Sequence, residues 1–148
     1  MPECLFCQIV AGKVPSYKIW EDEKHIAILD IFPNTKGMTL VLTKKHYSSY
    51  AFDLPQKEFE DFFKAAQKVA KVLEKRLPVK RVALVMEGLG VDHAHLKLYP
   101  LHGLEQKFQE KWANEKTFFD QYEGYISTQL GPEADKTELE ELHEQLKE

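Results

Sequence analysis

The chain has 148 residues, 43% of them apolar and 30% charged, which suits one globular domain with its own core and excludes a fibrous or disordered chain. Its net charge of −4 is concentrated at the end: residues 133–148 hold seven acidic residues against two lysines, leaving a body near +1. Such a body can admit a phosphate ester but offers no surface for long nucleic acid. No apolar run reaches the ~18 residues that cross a membrane. The opening MPECLFCQIV has neither the basic nor the apolar region of a signal peptide. A cytoplasmic protein with no membrane partner is therefore expected.

Taken in chain order, Cys4 and Cys7 come first, at metal-ligand or redox spacing. Tyr17–Glu21 and Lys24–Leu29 read as two short strands joined at EDEK, a hairpin by spacing. DIFPNTKG (30–37) carries Pro, Asn and Gly and is expected to be a loop. MTLVLT (38–43) reads as a third strand, running into the basic cluster Lys44–Lys45–His46. Over 54–77, Phe59, Phe62, Phe63, Ala66, Val69, Ala70, Leu73 and Leu77 recur at spacings of three and four, which predicts an amphipathic helix. Asp53 is its expected N-cap, Pro55 fits its first turn, and Pro78 closes it. Arg81–Met86 is a fourth strand, followed by the turn EGLG. Residues 104–128, rich in aromatics, are expected to be helical. Thr137 and Glu140 have capping-box spacing before a last acidic helix with a Leu139, Leu142, Leu146 stripe. His25 and His143 are expected to face solvent.

The stretch VDHAHLKLYP (91–100) carries the chemistry. As a strand it alternates faces, placing His93, His95, Lys97 and Tyr99 on one side and Ala94, Leu96 and Leu98 on the other. Same-face neighbours lie about 6.6 Å apart at ~3.3 Å rise per residue, so one imidazole can sit at a reacting atom and the next can support it. A merely solvated sheet face would give the same pattern, and H-x-H alone does not decide between them.

HAHLKLYP resembles the H-x-H-x-H signature of the histidine triad (HIT) superfamily of nucleotidyl hydrolases and transferases. The features before it occur in that family's order: C-x-F-C, the A-G-x-x-P-S turn, a strand ending in Leu-Asp-Ile, P-x-T-x-G, and an apolar strand running into K-K-H. The resemblance covers residues 1–101. It implies an α+β fold, an antiparallel sheet of about five strands crossed by the 54–77 helix, usually as a homodimer. The expected organisation is a HIT-like domain at 1–103, with 104–148 a C-terminal helical extension packed on the same domain.

The resemblance further implies that His95, the middle position of the signature, is a nucleophile. It would attack the α-phosphorus of a small-molecule nucleotide, and water or another acceptor would resolve the nucleotidyl-histidine. A neutral imidazole offers one lone pair when its other nitrogen donates to a fixed acceptor. Phosphoryl-type transfer then needs mainly positioning and donors for the phosphate oxygens. The enzyme expected is of nucleotide phosphoramidase or dinucleoside polyphosphate hydrolase type. Phe6, Ile9, Leu29 and Ile31 would hold the base and Asp30 the ribose, although Phe6 and Ile9 could equally be core and Asp30 a turn residue. Cys4, Cys7, His46 and His93 would bind a structural Zn²⁺, two thiolates and two imidazoles closing a tetrahedron; reduced, metal-free thiols are the alternative.

Three departures stand out. Lys97 replaces the third histidine, Met38 replaces a frequent histidine before Thr, and MEGLGVDH (86–93) is shorter than the usual loop and lacks its Gln and Ser/Thr. Each lost transition-state donor can cost ~10²–10³ in rate. Lys97, Lys44 or the hydroxyls of YEGYISTQ could substitute. The alternative to catalysis is a nucleotide-binding or regulatory protein on the same fold.

Overall fold

The computed structural model describes residues 4–104 and 113–148. Its elements are α1 (Leu5–Val10), β1 (Lys18–Glu21), β2 (His25–Leu29), β3 (Thr39–Thr43), a 3₁₀ turn (Ala51–Asp53), α2 (Gln56–Arg76), β4 (Val82–Val85), β5 (His95–Pro100) and α3 (Lys136–Leu146). The five strands form one antiparallel sheet in the order β1-β2-β3-β5-β4. This is the expected α+β fold.

β2 and β3 are near-continuous apolar runs because the sheet is covered on both sides. On one side Ala27, Val41, Ala94, Leu96 and Leu98 pack against Phe62, Ala65, Ala66, Val69 and Leu73 of α2. On the other, Ile26, Ile28, Leu40 and Leu42 pack with Phe6 of the short helix α1, joined by Ile9 and Val91. β5 shows the expected alternation: Leu96 and Leu98 turn to α2, and His95 faces Phe6 on the α1 side. The apolar stripe of α2 is what pins the strand, and the strand's opposite face becomes free for polar side chains.

Local details differ from expectation at four places. Asp53 does not cap α2; the residue before a proline is driven to extended backbone, so Leu54 is extended, Pro55 takes the cap position and Asp53 ends the 3₁₀ turn. His25 is buried, because Asp22 turns back to accept from its backbone N–H at 2.7 Å and its Nδ1 at 3.0 Å, while the ring stacks on Phe62. α3 is capped by Asp135, which accepts from Glu138 N–H at 3.1 Å, and Thr137 lies inside the helix. The helix expected over 104–128 runs partly through 105–112, outside the described residues, and 113–128 forms no helix.

Contacts divide the chain into two units, Met1–Gln109 and Glu110–Glu148. In the second, Gln129 Oε1 accepts from Ala113 N–H at 2.8 Å, Phe119 meets Tyr125 edge to face, and α3 leaves Leu139, Leu142 and Leu146 exposed. No helix among the described residues is long and apolar enough to cross a membrane.

Candidate active site and metal centre

The expected metal ligands, His95, Lys97 and the expected nucleoside-contacting residues lie in the first unit and gather at two neighbouring places, whereas the hydroxyls of 122–129 belong to the second unit. At the first, His95 is buried at 4% exposure, and its ring packs edge-on to Phe6 with centroids 5.2 Å apart. Its Nδ1–H donates to the His93 carbonyl at 2.6 Å. That bond selects the tautomer and leaves the lone pair on Nε2. Burial lowers the His95 pKa, and the His93 and Leu89 carbonyls pull it back without overcoming burial. The ring is thus neutral, the form a nucleophile needs.

His95 opens onto a cleft of about 410 Å³, in the range of small-molecule sites. Phe6 and Ile9 of α1, Leu29, Asp30 and Ile31 after β2, and Lys97 beside His95 on β5 all line it. Asp30 Oδ1 accepts from Phe32 N–H at 2.8 Å, so the turn role and the cleft role coexist in one side chain. Ile31 is 68% exposed at the mouth.

Lys97 does not stand alone. Its ammonium is ion-paired with the Glu87 carboxylate. Burial works against the charged ammonium, but the hydrogen bond and charge of Glu87 outweigh it and hold the Lys97 pKa above its ordinary value. Lys44, by contrast, pairs with Glu21 at 2.7 Å and is absent from the cleft lining. Asp92 is also turned away, accepting from Ser49 N–H at 2.9 Å.

Glu87 was not singled out in the sequence, where it reads as one residue of a turn. Only the strand register reveals it. Val85 pairs with Lys97 across β4 and β5, and two residues beyond Val85 returns to the same sheet face. The loop that carries it is stapled to 47–50: Ser49 Oγ donates to Gly88 O at 2.7 Å while Asp92 takes Ser49 N–H. Gly88 has φ +77°, and a Cβ there would meet Ser49 O at 2.9 Å, so the close approach requires glycine.

At the second place, Cys4, Cys7, His46 and His93 bring four ligand atoms within 4.8 Å of one another. The thiols are not joined in a disulfide. Cys4 Sγ and Cys7 Sγ lie 3.4 and 3.5 Å from His93 Nδ1, and Cys7 Sγ lies 3.4 Å from His46 Nδ1. With metal–sulfur and metal–nitrogen bonds of about 2.3 and 2.0–2.1 Å, a tetrahedral centre separates S and N ligands by roughly 3.5 Å. The donor set and its spacing therefore fit a tetrahedral metal. The far nitrogen, His93 Nε2, donates to the Thr43 carbonyl at 2.7 Å, which aims the Nδ1 lone pair at the cysteines.

A model of the HIT domain matches residues 11–103. The chain belongs to the HIT family. An adenosine 5'-monophosphoramidase of Candida albicans is 30% identical over 148 residues, 94% of this chain and 96% of that protein. A solved Streptococcus mutans structure is 34% identical with TM-score 0.70, covering 99% of this chain and 84% of that one. A zinc-bound histidine triad protein of Mycobacterium smegmatis is 30% identical with TM-score 0.64, covering 74% of this chain and 83% of that one. Within this HIT fold, His95 and Lys97 both line the cleft.

Proposed function

We propose that the protein is a nucleotide hydrolase that works at the α-phosphate through a nucleotidyl-His95 intermediate. The observation that carries this is the His95 ring, held by the His93 carbonyl with its reactive nitrogen left for the cleft. The Nε2 lone pair forms a bond to phosphorus, and the bond to the leaving group breaks with its electron pair. Water, or another acceptor in a transferase, then attacks phosphorus and gives up a proton to solvent, and the N–P electron pair returns to the imidazole. Phe6, Ile9, Leu29 and Ile31 give the base apolar surface, and the Asp30 carboxylate accepts from the ribose hydroxyls. Lys97 gives its N–H groups to phosphate oxygens. The Candida albicans phosphoramidase supports the substrate class, a small nucleotide.

Cys4, Cys7, His46 and His93 would hold Zn²⁺ in a closed, structural site, tying the N-terminus to the strand that carries His95. The Mycobacterium smegmatis protein supports that choice of metal. A homodimer fits the β4 side: β4 is a sheet edge, Leu84 is 40% exposed, and Phe59, Phe63 and Ala70 of α2 line an apolar groove with it. A second copy would cover both edge and groove.

The test is release of nucleoside monophosphate from nucleotide phosphoramidates, dinucleoside polyphosphates and sugar nucleotides, by wild type and His95→Ala. Turnover by wild type alone, with nucleotide binding retained in the variant, supports the enzyme. Binding without turnover in both favours the non-catalytic nucleotide-binding protein.

A further inference from the structure

We propose that the Glu87–Lys97 ion pair makes the position beside His95 a fixed cation rather than a proton donor, so that the site turns over nucleotides with phosphate leaving groups and discriminates against those with amine leaving groups. This rests on the nucleotidyl-transfer reading above and makes Glu87 a specificity-determining, positioning residue.

The leaving group decides whether a proton is needed. In a phosphoanhydride, His95 Nε2 bonds to the α-phosphorus while the P–O bond breaks, and the electron pair stays on what becomes a terminal phosphate oxygen. That oxygen's conjugate acid has a pKa of about 6, so it departs as an anion at neutral pH and needs a neighbouring positive charge, not a proton. In a phosphoramidate the P–N bond breaks toward nitrogen. An alkylamine's conjugate acid has a pKa near 10, so nitrogen must gain a proton as the bond breaks. General acid catalysis of that kind contributes ~10²–10⁴-fold.

Among the described residues, the ionisable side chains lining the cleft are Asp30, His95 and Lys97. His95 is consumed as the nucleophile. Asp30 is an acceptor, engaged at Phe32 N–H. Lys97 is the one cation among them, and Glu87 holds its proton in place. An ammonium has three N–H donors, so Lys97 can keep Glu87 and still bind a departing phosphate. Both side chains are well covered, at 24% and 14% exposure, so solvent screens the pair only partly. The loop carrying Glu87 is fixed by Ser49 through Gly88 and Asp92, which keeps the carboxylate at Lys97 through the reaction.

The experiment compares kcat/KM for a dinucleoside polyphosphate and for a nucleoside phosphoramidate of an alkylamine, in wild-type holoprotein and in Glu87→Gln, Lys97→His and Lys97→Arg. Nucleoside 5'-aryl phosphates of graded phenol pKa add a leaving-group slope. Wild type should favour the anhydride by about 10²-fold or more. Glu87→Gln should narrow that ratio about 10-fold, chiefly through kcat for the phosphoramidate, because Lys97 gives up its proton more readily without the carboxylate. Lys97→His should narrow it most and flatten the leaving-group slope. Lys97→Arg, an unyielding cation, should keep both the preference and the steep slope. Should Glu87→Gln fail to fold, the two Lys97 variants decide. Phosphoramidate turned over as fast as anhydride by wild type, or a ratio unmoved in Lys97→His, overturns the proposal while leaving nucleotidyl transfer standing. No turnover of any substrate and no adduct on His95 overturns the nucleotidyl-transfer reading and this one with it.

Discussion

His93 and His95 lie two residues apart and meet the same phenylalanine ring, Phe6, at 5.8 and 5.2 Å, yet their surroundings prescribe opposite behaviour. Around His93 everything converges: two thiols meet its Nδ1, the His46 ring packs edge-on against it, and the Thr43 carbonyl holds its other nitrogen. Around His95 one nitrogen is tied to a carbonyl and the ring opens onto a cleft. The first arrangement is closed and suits holding; the second faces open space and suits reacting. What separates them is not residue type but what surrounds each ring, a cluster of ligand atoms in one case and an open cleft in the other.

The largest effect should come from the reacting end. His95→Ala should lower turnover by about 10⁴-fold or more and leave metal content and Tm near wild type. Loss of metal in that variant would break the comparison, since the two ends would then be one site. The holding end should respond the other way. Cys4→Ser with Cys7→Ser should remove the zinc expected at about one per chain. Structural zinc contributes several kcal/mol to folding, and ~3 kcal/mol lowers Tm by roughly 10 °C in a domain of this size. Elemental analysis and thermal unfolding read both. An unchanged Tm in zinc-depleted protein would remove the structural role.

Within the cleft, Asp30→Ala should raise KM for nucleotides about 10–100-fold with a smaller change in kcat, the loss of charge-assisted bonds of about 1.5–3 kcal/mol. A 2'-deoxy substrate should close part of that gap in wild type.

The sequence made the strands, the 54–77 helix and the two-faced pattern of 94–98 legible, because each rests on a local period that burial then enforces. It also named the four side chains that gather at metal-ligand spacing and those that line the cleft, since the family's ordered features mark them. Glu87 escaped because its role depends on the pairing of Val85 with Lys97, a contact between segments rather than a pattern within one. His25 escaped for a similar reason: flanked by charges it reads as exposed, and only Asp22 and Phe62 make its burial tolerable. The aromatics of 113–128 carried weight as residue types without a sustained stripe, and a helix lacking a stripe has little packing to stabilise it.

The smallest effect concerns neither end and sets the baseline for both. Burial raises the Asp22 pKa, but N–H donors from His25 and Lys24 prevail and the net shift is downward. A lowered carboxylate pKa stabilises the fold above the unfolded value of about 3.9 and loses that contribution as pH falls through the folded pKa. Asp22→Ala should therefore cost about 1–2 kcal/mol at neutral pH, with the gap to wild type closing below about pH 4. Denaturant unfolding at several pH values checks it, and a gap that widens in acid would reverse the sign.

Nucleotidyl transfer through His95 requires that its imidazole become covalently linked to the nucleotide. Mass spectrometry of protein mixed with nucleotide substrate at neutral pH and rapidly quenched without acid tests it most directly. The account predicts an acid-labile mass increase equal to one nucleoside monophosphate less water, located on the peptide containing His95 and absent from His95→Ala. Sustained turnover with no such adduct, or an adduct that persists in His95→Ala, would contradict it.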